Sequence, residues 1–115
     1  MNVSTRDVNG VMIVDLHGDL VAGVGDEVVR HEVNRLLAGD RRHILLNLAG
    51  VGRMDSAGVG ELVASWKLAG RLGARLKLLR PGDRVRSTLH LAQVLPLLEV
   101  FEDEAEAVRS FALEA

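Results

Sequence analysis

Residues 44–48, with the sequence ILLNL, decide the fold of this chain. Four large aliphatic side chains in five positions, bounded by polar residues and a glycine-containing segment, are typical of a central strand that is buried on both faces. A loop over residues 49–54 follows, and Asp55 and Ser56 then begin a helix. Its apolar residues recur at helical spacing; they are Val59, Leu62, Val63, Trp66 and Ala69. A buried strand that leads into an amphipathic helix indicates a parallel α/β sheet.

The segments before this unit predict an N-terminal hairpin and a first helical crossover. Asn9-Gly10 is a strong turn signal between a polar strand over residues 3–8 and an apolar strand over residues 11–16. Apolar residues at helical spacing predict a helix over residues 26–38. Gly39 is then well placed to end that helix in the left-handed conformation.

The segments after residue 60 continue the same alternation. They predict a strand over residues 75–79, a short helix over 83–92, a small edge strand at 100–101 and a last helix that starts near the acidic residues 102–104. The predicted fold is α/β, with a four- to five-stranded mixed sheet in which an N-terminal hairpin joins parallel strands. About four helices lie mostly on one face. We expect residues 1–115 to form a single domain.

The composition disfavours several classes of function. Sixteen acidic and fourteen basic residues give a net charge of −2, and the dispersed basic residues disfavour nucleic acid and anionic membranes as main partners. The absence of cysteine excludes disulfides, thiolate nucleophiles and cysteine-bound metals. No apolar run approaches the roughly 18 residues of a membrane-spanning helix, and the N-terminus lacks a signal peptide's apolar stretch. We expect a soluble, cytoplasmic protein.

The stretch DSAGVG, residues 55–60, is the candidate functional site. Asp55 or Ser56 is suited to cap the helix, because Asp and Ser are preferred N-cap residues. A cap does not explain Gly58 and Gly60, each of which costs about 1 kcal/mol relative to alanine in a helix. The two glycines indicate a backbone kept bare for a packing neighbour, a phosphate or a partner protein, and free amides at a helix N-terminus favour anions.

Other site chemistries find little support. A nucleophile elbow requires glycine two residues before the serine, and Met54 stands there. No dinucleotide or phosphate-loop motif is complete, and no metal-ligand spacing is present. Trp66 fits the apolar stripe of its helix, which favours core packing over a surface role. We therefore predict no catalytic residue, no metal site and no cofactor. No sequence signal joins Ser56 to any of the four histidines, which are scattered over different elements; they are His17, His31, His43 and His90.

Four motifs resemble those of the STAS-domain proteins, and specifically of the bacterial anti-sigma factor antagonists. LHGDL at residues 16–20 is similar to the family's Leu-x-Gly-Glu-Leu, and LLNL at residues 45–48 is similar to its Leu-Asn-Leu. MDSAGVG at residues 54–60 resembles Met-Asp-Ser-Ser/Thr-Gly-Leu-Gly. GARLKL at residues 73–78 resembles the Gly-Gly-x-Leu segment before the fourth strand. The resemblance covers nearly the whole chain and implies a STAS fold.

The resemblance implies a partner switch. In this family the serine after the aspartate is phosphorylated by an ATP-dependent kinase that is also the anti-sigma factor, and Ser56 holds that position. The unphosphorylated protein binds the anti-sigma factor and so releases a sigma factor for transcription. The phosphorylated protein lets go, and a serine phosphatase resets the switch. A phosphate adds a charge of roughly −1.5 to −2 beside Asp55, which is consistent with release.

The implied partner surface departs from the family pattern at three positions. Val21 stands where members often carry an aspartate, Ala57 replaces a second hydroxyl, and Arg53 stands where an apolar side chain is common. Arg53 is a candidate partner for a phosphate on Ser56, or a solvated side chain. The residues of the implied partner surface are Asp55, Ser56, Ala57, Gly58, Gly60, Val21, Ala22 and Arg53.

A second interpretation stays open. Some STAS domains are constitutive interaction subunits of signalling, anion-transport or lipid-transport assemblies and need no phosphorylation, and Val21 and Ala57 slightly favour this role. The sequence also leaves open the identity of the anti-sigma factor, of the sigma factor and of the stimulus. Whether the chain forms a weak homodimer is equally open.

Overall fold

A five-stranded mixed sheet organises residues 1–112, the part of the chain that the computed structural model describes. In spatial order its strands are β1 (Asn2–Val8), β2 (Val11–Leu20), β3 (His43–Met54), β4 (Arg75–Leu79) and β5 (Val100–Phe101). β1 pairs antiparallel with β2, and the other neighbours are parallel. The mixed sheet with an N-terminal hairpin confirms the predicted fold class.

Four helices pack on this sheet within the same described residues. They are α1 (Asp26–Ala38), α2 (Ser56–Arg71), α3 (Asp83–Leu91) and α4 (Glu104–Ala112), and a short 3₁₀ turn (Leu95–Leu97) precedes β5. In residues 1–112, none of the helices combines the length and apolar character that a membrane crossing needs.

The helices cover the two faces of the sheet unequally. α1, α2 and α3 pack on one face around a large aliphatic core that includes Leu46 and Leu78. α4 packs on the other face, where Phe111 lies in a smaller core with Leu45. Residues 44–46 are fully buried because β3 is covered on both sides. The predictions of a doubly buried central strand and of helices mostly on one face are confirmed.

The Asn9-Gly10 turn joins the two antiparallel strands as predicted. Both residues have positive φ, 51° and 85°, as a type I′ two-residue turn requires. The Gly10 amide donates a hydrogen bond to Asp7 Oδ1 at 2.9 Å. β1 is exposed along most of its length, as expected for a polar edge strand.

β2 and β3 are longer than the sequence predicts. The predicted strands end at residues 16 and 48, whereas the observed strands continue to Leu20 and Met54. Their pairing persists through two register irregularities and reaches the pair Leu20–Met54. Val51 and Met54 are buried in the large core. Their packing stabilises the strand conformation of residues 49–54, although the glycines in this segment are typical of a loop. The prediction of a loop over residues 49–54 is therefore wrong.

The end of α1 also differs from the prediction. Gly39 has a φ of −87°, and Asp40 adopts the left-handed conformation instead, with a φ of 60°. The Arg41 amide donates to the Leu36 carbonyl at 3.0 Å, and the Asp40 amide donates to the Leu37 carbonyl at 3.1 Å. These two bonds form a Schellman motif, with the left-handed residue one position later than expected.

A charged network ties α4 to the hairpin. Arg6 Nε on β1 contacts Asp15 Oδ2 at 2.8 Å, and Arg6 Nη1 donates to Glu104 Oε2 at 3.0 Å. The Arg6 guanidinium holds the pKa of both carboxyls below their ordinary values. Because these pKa values are lowered in the folded state, the stabilisation is present at neutral pH. It is lost as the pH falls through the folded-state pKa values.

We predict that Arg6→Gln lowers the free energy of unfolding at neutral pH by about 1 kcal/mol, since the paired side chains are partly exposed and screened. The difference from wild type should begin to shrink near pH 4, the ordinary pKa of such carboxyls, and disappear once the pH falls through their lower folded-state pKa values. Urea denaturation at several pH values measures this. An equal difference at neutral and acid pH would contradict the prediction. Arg84→Gln, at an exposed arginine with no ion pair in residues 1–112, is the control.

Candidate functional site

Ser56 lies on the surface where the carboxyl ends of β2 and β3 meet. Leu20 and Met54 are paired at these ends, and the Asp55 amide donates to the Leu20 carbonyl at 3.4 Å. The loop after β2 and the start of α2 therefore stand side by side. Ser56 is the first residue of α2, and it is exposed to solvent.

The Asp55 carboxylate holds these two segments together. Asp55 Oδ1 accepts a hydrogen bond from the Gly58 amide at 3.0 Å, which confirms Asp55 as the N-cap of α2. Asp55 Oδ2 accepts one from the Ala22 amide at 3.1 Å. Both hydrogen bonds lower the pKa of the Asp55 carboxyl, because they stabilise its charged form. The side chain is therefore an ionised clamp at neutral pH.

The loop over residues 21–25 presents small and apolar groups beside this clamp. Val21 O accepts hydrogen bonds from the amides of Val24 and Gly25, each at 3.1 Å. Asp26 Oδ1 accepts one from the Gly23 amide at 2.8 Å. Val21 is half-buried, whereas Ala22 is exposed and Val24 is 50% exposed. The loop is held in a defined conformation although its tip is open to solvent.

Arg53 is paired with a neighbouring carboxylate. Its Nε lies 3.1 Å from Asp19 Oδ2, and both side chains remain largely exposed. Arg53 is thus an exposed side chain that has an acidic partner, and its role toward a phosphate on Ser56 stays a prediction. Asp19 was not among the predicted site residues, because only the pairing of β2 with β3 brings it beside Arg53.

The two glycines at the start of α2 have different structural reasons. A Cβ on Gly58 would lie 2.1 Å from the Leu20 carbonyl oxygen and 2.8 Å from Met54 Cγ. The bare backbone of Gly58 therefore serves the packing of α2 against the ends of the two strands. A Cβ on Gly60 would meet no heavy atom within 4 Å, and Gly60 is exposed. Nothing within residues 1–112 accounts for glycine at this position.

A groove between α1 and α2 adjoins Ser56, with a volume of about 500 Å³. Ala57, which is half-buried, and Gly60 line it from α2. The base of the groove is held by a buried carboxylate: Glu61 Oε1 lies 2.8 Å from Arg30 Nε, and its Oε2 accepts from Ser65 Oγ at 3.0 Å. The sequence alone does not indicate this contact, since only the packing of α1 on α2 brings Arg30 beside Glu61.

In the part of the chain that the structure describes, the Ser56 hydroxyl has no hydrogen-bonded base. Within residues 1–112, no hydrogen bond joins Ser56 to a histidine, and His43 instead packs against Phe111, with the ring centroids 5.2 Å apart and the rings tilted by 44°. A serine hydroxyl without a positioned base is a weak nucleophile. The same residues contain no cluster of histidine, aspartate and glutamate side chains that could hold a metal ion.

Comparison with known proteins identifies a family model and solved structures that match this chain. The STAS domain family model matches residues 2–107. An anti-sigma F factor antagonist from Paenibacillus polymyxa is 25% identical over 108 residues, which are 94% of this chain and 92% of that protein.

Two solved structures show the same fold. The Bacillus cell fate determinant SpoIIAA in its phosphorylated form superposes with a TM-score of 0.72 at 20% identity, covering 96% of this chain and 99% of that one. A sulfate transporter family protein from Wolinella succinogenes superposes with a TM-score of 0.79 at 20% identity, covering 94% and 89%.

We predict different effects for alanine at Gly58 and Gly60, the two glycines near the start of α2. Gly58→Ala should destabilise the fold by about 1–3 kcal/mol, because the new methyl group collides with the backbone of β2. Gly60→Ala should leave the free energy of unfolding unchanged or raise it by up to about 1 kcal/mol, because alanine favours the helix and meets open space. Urea denaturation measures both values. Equal effects at the two positions would contradict this assignment.

Proposed function

Because this chain belongs to the STAS domain family, we propose that it is an anti-sigma factor antagonist whose partner is switched by phosphorylation of Ser56. The observation that carries this proposal is the exposure of Ser56 at the start of α2, between an ionised Asp55 and the open loop 21–25. A kinase reaches such a hydroxyl without unfolding any part of the chain. The side chains of this surface are small, so a partner can approach the backbone closely.

In the unphosphorylated state, the proposed surface binds an anti-sigma factor that is also a serine kinase. The exposed Ala22 and Val24 supply apolar contact area on one side of Ser56. Ala57 and Gly60 leave the backbone of α2 accessible on the other side. Binding at this surface occupies the anti-sigma factor and so releases a sigma factor for transcription.

Phosphorylation acts on this surface through charge. A phosphate on Ser56 adds roughly −1.5 to −2 charges directly beside the ionised Asp55. In the free protein, the N-terminal end of α2 tolerates this charge because its amide dipoles point toward it. In the complex the same charge has to be desolvated next to a carboxylate, which weakens binding. A serine phosphatase that reaches the exposed phosphate resets the switch.

The relatives support this proposal in two ways. The Paenibacillus relative, which matches over nearly the whole of both chains, is named for antagonism of an anti-sigma factor. The Bacillus structure of the same fold was solved in a phosphorylated form. The motif MDSAGVG, residues 54–60, spans the start of α2 and exposes Ser56 and Gly60.

We predict that Ser56→Glu weakens binding to the cognate anti-sigma factor kinase by tenfold or more, since the like charge beside Asp55 costs about 1.4 kcal/mol or more. Ser56→Ala should bind with wild-type affinity but resist phosphorylation. Isothermal titration calorimetry measures the affinities. Ser87→Glu, at an exposed serine on α3, is the matched control and should bind normally. Equal affinity of Ser56→Glu and wild type would overturn the switch.

We also predict that Gly60→Leu weakens binding of the same kinase by tenfold or more while the chain stays folded. A Cβ at Gly60 meets open space in the free protein, so only an approaching partner meets the added side chain. The control is Gly70→Leu, at an equally open glycine ten residues further along α2, which should bind normally. Calorimetry measures both affinities. Normal binding by Gly60→Leu would remove this part of α2 from the proposed surface.

The alternative function is a constitutive interaction subunit of a signalling or transport assembly. Val21 and Ala57 favour it because they replace polar residues of the family pattern, and a sulfate transporter family protein shares the fold. Incubation with the cognate kinase and ATP, followed by mass spectrometry, discriminates the two functions. Phosphate on Ser56 supports the switch. Stable binding of the kinase with no modification of Ser56 favours the constitutive role.

A further inference from the structure

A second groove lies at the opposite end of α2 from Ser56. It runs between the last turns of α2, the start of β4 and the 3₁₀ turn, and its volume is about 640 Å³. We call it the Trp66 groove; it is lined by Trp66, Gly70, Ala74, Leu76 and Leu97, with charged neighbours described below. Trp66 is ten residues beyond Ser56, which is about 15 Å along the helix. The Trp66 groove is therefore distant from Ser56, although Arg71 also lines the far end of the groove between α1 and α2.

Trp66 does not behave as an ordinary core residue. The sequence predicts core packing, and Trp66 does pack against the large core, but it is only half-buried and its remaining surface lines the groove. Leu97 lines the same groove and is 49% exposed. A flat aromatic side chain beside an exposed leucine is a surface suited to an aromatic or apolar ligand.

Gly70 keeps the groove open. It lies inside α2, its φ is not positive, and an added Cβ would meet no heavy atom within 4 Å. Glycine weakens a helix interior relative to alanine, and neither backbone conformation nor packing within residues 1–112 demands it here. Any larger side chain at this position would extend into the space beside Trp66.

The charged residues around the groove favour an anion. Among residues 1–112, Lys67 and Arg71 from α2 and Arg75 from β4 line it, together with the carboxylate of Glu99. Glu99 Oε2 already lies 3.4 Å from Lys77 Nζ, which offsets part of its charge. Within the described residues, no carboxylate forms an ion pair with Lys67 or Arg71. The groove thus combines an aromatic wall with a net positive charge.

We propose that the Trp66 groove binds a small anionic ligand that carries an aromatic ring, such as an aromatic carboxylate, sulfonate or phosphate. The ring would stack on Trp66, and Lys67 and Arg71 would contact the acidic group. The volume of the Trp66 groove lies in the range of about 300–1,000 Å³ that is typical of small-molecule sites. A stable protein interface needs about 20–30 residues on each side, more than this groove offers.

The single tryptophan of the chain allows a direct test on the whole protein. Anilinonaphthalene sulfonate is an aromatic anion that accepts energy from tryptophan, and uncharged anilinonaphthalene is its matched probe. We expect saturable quenching of Trp66 by the sulfonate and binding of the uncharged probe that is about tenfold weaker. The double variant Lys67→Gln/Arg71→Gln should weaken sulfonate binding about tenfold. Arg84→Gln, on α3, should have no effect.

Filling the groove provides the second arm of the test. Gly70→Leu should abolish sulfonate binding while urea denaturation shows an intact fold, and Gly60→Leu should leave binding unchanged. Ser56→Glu should also bind the sulfonate normally, so the result does not depend on the proposed switch. Calorimetry repeats each titration without relying on Trp66 emission.

Three outcomes would overturn the proposal. The first is equal affinity for the charged and uncharged probes, which would indicate an apolar patch without anion selectivity. The second is sulfonate binding that survives both Gly70→Leu and the double charge variant. The third is a dimer in sedimentation analysis that Gly70→Leu converts to a monomer, because the groove would then be an interface with a second copy of the chain.

Discussion

The carboxylate of Asp55 is the interaction on which the candidate site depends. One of its oxygens caps α2, and the other binds the backbone of a loop that lies 33 residues earlier in the chain. A serine or threonine cap has only one side-chain oxygen and would reach both amides less well, which gives a physical reason for aspartate here. The clamp holds the first helical residue, Ser56, at the surface beside loop 21–25.

The clamp also gives a physical reason why the proposed switch needs no change of fold. Gly58 brings the first turn of α2 so close to Leu20 that even a methyl group does not fit between them. This contact and the two hydrogen bonds of Asp55 leave little freedom for the helix start to move. A phosphate on Ser56 would therefore change the charge of the proposed docking surface far more than its shape, and the partner, rather than the chain itself, would respond.

The features that could be predicted from the sequence are those that depend on neighbouring residues. The Asn9-Gly10 turn, the helical stripes and the Asp55 cap follow from local propensity and spacing. The continuation of β3 to Met54 does not, because it depends on pairing with β2 and on burial beneath the helices. The hydrogen bond from the Ala22 amide to the Asp55 carboxylate is likewise a tertiary contact, which no local sequence pattern predicts.

The glycines of α2 show the same limit most clearly, because one residue type serves different purposes along one helix. Gly58 is required by the chain's own packing, whereas Gly60 and Gly70 face open space. A helix with this many glycines is weak by propensity, so its stability has to come from its buried face, which carries residues such as Leu62 and Ala69. Since that face and the Asp55 hydrogen bonds anchor α2, its outer side is free to keep Gly60 and Gly70 bare, one near each end of the helix.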